Sequence, residues 1–171
     1  TNNREILFPR GKVLGGSSSI NGHLYVRGQA EDYNSWAQEG NLGWSYEDVL
    51  PYFRRSEERQ NGNPDTRGVD GPLHISDIHE YHPLCEAFID GVVSLGVPLN
   101  PDYNGRSQEG VAYYQRTIRR GSRHSAAKAF LRPAMRRRNL KVIKKAMVKK
   151  ITLKDGRCTG VHFQRHGTDH F

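Results

Sequence analysis

The stretch GKVLGGSSSINGHLYVRG, residues 11–28, constrains this chain more than any other. It holds five glycines and three consecutive serines. Glycine inside a regular element costs about 0.5–1 kcal/mol relative to alanine, so the stretch is a loop with at most a short helical turn. Gly15 and Gly16 carry no Cβ, which lets backbone N–H groups approach a ligand closely. Ser17 and Ser18 are good helix-start residues, and a helix start attracts phosphate. Two readings follow: a loop that holds an anionic, planar ligand, and a tight turn between packed elements. Known phosphate loops do not apply. Lys12 precedes the glycine pair instead of following it, so there is no Walker A motif, and GxGxxG occurs nowhere in the chain.

The remaining sequence mixes helical and strand patterns without strict alternation, which gives a mixed α/β (α+β) fold class. Residues 31–38 read as a helix with acids in its first turn. Ser45 and Asp48 read as a capping box before an apolar set at Val49, Leu50, Tyr52 and Phe53. Leu84, Phe88, Val92 and Leu95 have helical spacing, with Gly96 as a stop. Residues 72–76 and 111–118 read as strands, and a helix starts at Ser125 and runs through residue 138. Three strand-like runs follow, at 140–143, 147–153 and 158–164, and Asp155-Gly156 between the last two is a hairpin signal.

Net charge is +8, from 26 Lys and Arg against 18 Asp and Glu, with the excess gathered in residues 116–150. Such a run favours acidic partners, namely nucleic acid, phosphate groups or an anionic membrane surface. Nucleic acid is not expected, because the cations alternate with apolar residues as on solvated faces and no aromatic stacking set accompanies them. Peripheral association with a membrane surface fits better. The compartment stays open between the cytoplasm and a peripheral position at an inner membrane. No apolar run approaches the roughly 18 residues of a membrane span. His74, His79, His82 and Cys85 carry metal-ligand chemistry, but their spacing matches no standard zinc module. No metal site is expected from them or from His162, His166 and His170.

The spacing of Gly11, Lys12, Leu14, Gly15, Gly16, Ser17, Ser18, Ile20, Asn21, Tyr25, Gly28 and Asn34 resembles the first signature of the glucose-methanol-choline (GMC) flavin oxidoreductases. The similarity continues through YVRGQAEDYNSWAQEGNLGWSYEDVLPYFRRSE, GVDGPLHIS, the segment 104–143 and CTGVHF, and it is strongest toward the primary-alcohol dehydrogenases. What the resemblance implies is a partial GMC fold and FAD binding. Gly15, Gly16, Ser17 and Ser18 would line the cofactor, Asn21, Gly22 and His23 would sit near the isoalloxazine, and the backbone of Val148 would meet the adenine. Some relatives attach FAD through a histidine just before the signature Asn. Here that position is Ile20, so non-covalent FAD is expected. Position 23, commonly Met or another apolar residue in relatives, is His23.

The resemblance also implies a domain plan. Residues 1–71 and 119–171 would belong to the FAD domain, and residues 72–118 would begin the substrate domain. The chain reads as an internal piece. The N-terminal dinucleotide fingerprint and the C-terminal catalytic histidine of the family have no counterpart in it, so no catalytic residue is assigned. The implied activity is oxidation of a choline-like primary alcohol to an aldehyde by hydride transfer to flavin, with the electron acceptor open. By itself the segment is expected to be inactive and marginally folded. The rival readings are a flavin-fold relative without dehydrogenase activity and a basic nucleic-acid-binding module.

Overall fold

The computed structural model describes residues 2–171. They form two compact units, one ending at residue 133 and the other spanning 134–171, each considered by itself. The mixture of helices and strands without alternation agrees with the fold class expected from sequence.

In the first unit, two capped helices follow the glycine–serine loop. Helix α1 spans Ala30–Gln38 and α2 spans Tyr46–Ser56. The expected capping box is present: Asp48 N–H donates to Ser45 Oγ at 3.3 Å, and Ser45 N–H donates to Asp48 Oδ2 at 3.2 Å. Each satisfies a donor that a helix start would otherwise leave open. Asn34 Oδ1 also accepts the Tyr46 N–H at 3.0 Å, so α1 helps cap α2. The two helices meet through aromatic side chains. Tyr33 lies 5.5 Å from Trp36 and 5.6 Å from Phe53 between ring centroids, both edge-on. Edge-on pairs set the positive rim of one ring against the negative face of the other.

The apolar core is small, comprising Leu50, Ile75, Tyr103, Ala127 and Ala129. Beside it lies a polar core. Strand β1 (Glu57–Glu58) leaves the end of α2 and pairs in parallel with β2 (Leu73–His74). The fully buried Glu57 carboxylate accepts from both Arg27 and Arg67, and Arg67 reaches on to Asp102. Gln115 Nε2 donates to Asp102 Oδ1 at 2.9 Å, and Asn104 Nδ2 donates to Gln115 Oε1 at 3.0 Å. Two guanidinium groups and two carboxylates therefore offset one another, and amides occupy remaining sites, as burial of charge requires.

Helix α3 spans Pro83–Ser94, with His82 Nδ1 accepting the Leu84 N–H at 3.2 Å as its cap. Its expected apolar stripe is present in sequence but open in space: Leu84, Phe88 and Leu95 are exposed. The strand expected over 111–118 is not continuous. Only Ile118–Arg119 is a strand (β3), paired with β4 (Ser122–Arg123), while Val111 and Arg116 make isolated bridges to Leu99, Leu24 and Ser76. Gln115 and its neighbours bond to the polar core, so tertiary contacts replace a ladder. The helix expected from Ser125 is shorter and wider than anticipated. A π-helical turn, Ala127–Leu131, runs into α4, Arg132–Ala134. Pro133 has no N–H to donate to the Ala129 carbonyl and its ring crowds that carbonyl, which accounts for the widened turn before it.

The second unit is an antiparallel meander of β5 (Ala146–Lys154), β6 (Arg157–Arg165) and β7 (Thr168–His170). Asp155 and Gly156 have φ of 50° and 74°, the left-handed pair that a two-residue hairpin turn needs. The strand expected at 140–143 has no regular structure, because no neighbour pairs with it. The turn before strand β7, His166-Gly167, repeats the same left-handed pair at 51° and 81°.

Candidate functional site

The glycine–serine loop is a short 3-10 turn, Gly16–Ser19, held by bonds that run far along the chain. Within the loop, Gly16 N–H donates to Val13 O at 2.8 Å and Asn21 N–H to Ser17 O at 2.8 Å. Across the chain, Ser18 Oγ accepts the Ala126 N–H at 2.9 Å while donating to Gly15 O at 2.5 Å. Arg123 donates to Asn21 Oδ1 at 2.8 Å and to Ser18 O at 3.3 Å. Thr117 N–H donates to His23 O at 2.8 Å. The segment 117–126 thus pins the loop from outside.

The two adjacent glycines serve different ends. Gly15 has φ of 92°, and a Cβ there would meet Ser19 Oγ at 2.5 Å and Ala127 Cβ and Ser125 Oγ at 3.2 Å. Its bareness lets the loop lie against the Ser125–Ala129 segment. Gly16, with φ of 54°, faces open space with nothing within 4 Å of a Cβ. Ser125, the expected helix start, is buried, and its backbone carbonyl accepts the Ala129 N–H at 2.9 Å.

The loop therefore brings Gly15, Gly16, Ser17, Ser18, Asn21, Gly22 and His23 together, but not as a uniform ligand cradle. The Ser18 hydroxyl and the Asn21 carbonyl oxygen are engaged in holding the chain. The groups free for a ligand are different ones. Among the described residues, the N–H groups of Gly15, Ser17 and Gly22 find no acceptor. His23 adopts a left-handed φ of 52°, unusual for a residue with a side chain. Its backbone is tied on both sides, since its N–H donates to Asn21 Oδ1 at 3.0 Å. Its Nδ1 is buried without a partner. Burial, and then repulsion from Arg123 and Arg116, lowers the imidazole pKa below its ordinary value, so the ring is neutral at pH 7. Open glycine space, free N–H donors and an orphaned neutral imidazole fit an FAD that presents planar heteroatoms and phosphate oxygens. Val148 belongs to the second unit. It pairs with Phe163, and the ladder skips Lys149 beside it, a bulge that frees backbone groups next to Val148.

The anchors Arg123 and Ser125 meet loop residues about a hundred positions upstream, where no local pattern shows them.

The family described as GMC oxidoreductase matches residues 1–171. The oxygen-dependent choline dehydrogenase of Rhizobium johnstonii is 49% identical over 166 residues, 97% of this chain and 30% of that protein. The protein of the same name from Brucella anthropi is 47% identical over 94% of this chain and 29% of its own length. Among solved structures, pyridoxine 4-oxidase from Mesorbium loti superposes with a TM-score of 0.86 at 31% identity, covering 94% of this chain and 32% of that one. An FAD-dependent oxidoreductase from Chaetomium thermophilum gives a TM-score of 0.87 at 28% identity over 99% of this chain and 32% of its own. The chain thus spans just under a third of the curated relatives it matches.

Proposed function

We propose a function that starts from family membership: the chain belongs to the GMC oxidoreductases, and it forms the flavin-holding segment of an FAD-dependent alcohol dehydrogenase. The observation that carries this reading is the glycine–serine loop, with its open face at Gly16 and its unpaired N–H groups. A bound FAD supplies the redox chemistry, accepting a hydride from the alcohol carbon. The chain's own residues supply position. Gly15, Gly16, Ser17 and Ser18 shape the wall against the cofactor, with backbone N–H groups as donors. Asn21 fixes the backbone of His23, and His23 presents a neutral ring nitrogen beside the flavin. Val148 offers backbone to the adenine. With Ile20 before the signature Asn, no side chain at that position forms a covalent flavin bond.

The substrate is a primary alcohol of the choline type, a reading supported by the choline dehydrogenases among the relatives. Residues 1–71 and 119–171 serve the FAD domain, and 72–118 begin the substrate domain. The exposed apolar residues of α3 and of β5 (Met147, Val148, Ile151 and Leu153) are faces that further parts of such an enzyme would cover. The test is the absorption spectrum of the purified enzyme carrying this chain. A flavin spectrum that bleaches on anaerobic addition of choline is expected, with FAD released by acid. A colourless protein that yields no flavin on denaturation overturns the proposal. Bleaching by another alcohol but not by choline overturns the substrate class alone.

A further inference from the structure

Apart from the loop, the first unit carries an unusually cationic recess of about 430 Å³, lined by Arg119, Arg120, Ser122, Arg123, His124, Lys128 and Arg132. It lies between the β3–β4 hairpin and the π-helical turn, and no carboxylate lines it. Among the described residues, only Arg119 of these cations is paired with an acid, Glu58 at 3.7 Å. Five like charges around one hollow repel one another and raise the local anion concentration. The floor provides an independent sign. His124 is more than nine-tenths buried, and its Nδ1 accepts the His74 N–H at 3.1 Å. That fixes the ring proton on Nε2, which has no partner among the described residues. An unpartnered imidazole N–H on a largely buried residue, lining a hollow with guanidinium and ammonium groups, is a donor set suited to tetrahedral oxyanions, which guanidinium forks bind in bidentate fashion.

We propose that this recess binds a phosphate group, separate from the flavin site, with His124 Nε2–H as its central donor and Arg120, Lys128 and Arg132 as its rim. The phosphate comes from a soluble ion or from the headgroup of an anionic lipid. The test uses the FAD-loaded enzyme carrying this chain, as wild type and as the Lys128→Gln/Arg132→Gln double variant, with His124→Gln as a second probe. Inorganic phosphate is titrated by calorimetry in phosphate-free buffer, and vesicles of phosphatidylglycerol and phosphatidylcholine are assayed by co-sedimentation. Saturable phosphate binding weakened at least tenfold in both variants supports a soluble ligand. Co-sedimentation with phosphatidylglycerol vesicles that both variants lose, without binding of free phosphate, supports the lipid source. Binding of neither, binding unchanged in the variants, or phosphate binding seen only after FAD is stripped overturns the proposal.

Discussion

The first unit contains two polar regions, and they are opposites. Around Glu57, charged groups are buried and satisfied by one another: Arg27 and Arg67 hold the carboxylate, Arg67 also holds Asp102, and Gln115 and Asn104 complete the network. In the loop, N–H groups and the buried His23 Nδ1 find no partner among the described residues, and Gly16 faces open space. A polar region that closes on itself holds a shape, whereas one that leaves donors unpaired at an open wall is waiting for a ligand. The bonds joining the two regions run through the 115–126 segment, which contributes Gln115 to one and Thr117, Arg123 and Ala126 to the other.

The largest effect expected from breaking this contrast is at the closed region. Glu57→Gln leaves two buried guanidinium groups facing a neutral amide, and removing one partner of a buried ionic cluster costs about 3–5 kcal/mol. Urea denaturation of the enzyme will show the loss, with flavin release following unfolding. A shift below about 1 kcal/mol would mean the network is open to water.

Gly15→Ala comes next. It combines a left-handed backbone, which costs an L-residue about 1–2 kcal/mol, with a clash against Ser19 and Ala127. Gly16→Ala carries the strain without the clash, so it is expected to destabilise less and to weaken FAD retention more. Equilibrium dialysis of FAD beside thermal unfolding separates the two. Ser18→Ala is smaller, because it strands the Ala126 N–H for about 1–2 kcal/mol. Ser17→Ala, whose hydroxyl accepts only the Gly11 N–H at the surface, is the matching control.

The smallest effect is that of pH. Burial first, then Arg119, lowers the pKa of His124 below its ordinary value of 6.5. The unfolded chain therefore takes up a proton more readily than the folded one below that value. Its contribution to stability is full above about pH 6.5 and falls as the pH drops toward the folded pKa. His23 acts in the same direction. Unfolding midpoints measured in phosphate-free buffer at pH 7.5 and 5.5 should fall on acidification, and His124→Gln should flatten the change.

Sequence by itself determined what is local in this protein. The capping box at Ser45 and Asp48, the Asp155-Gly156 hairpin, helix α3 and the glycine-rich loop were legible because each rests on bonds or dihedral angles within a few residues. The family resemblance added the cofactor and the site residues. Tertiary structure decided the rest. It broke the strand expected over 111–118 into single bridges because Gln115 and Arg116 bond to distant segments. It set the Cα of Gly15 against Ser19 and Ala127 while its N–H stays free, and left Gly16 facing open space. It also assembled the Glu57 network and the Arg123 anchor, whose partners in the chain lie from ten to a hundred and five positions apart. Periodicity and propensity register neighbours along the chain, whereas charge pairing and close backbone approach depend on which segments meet in space.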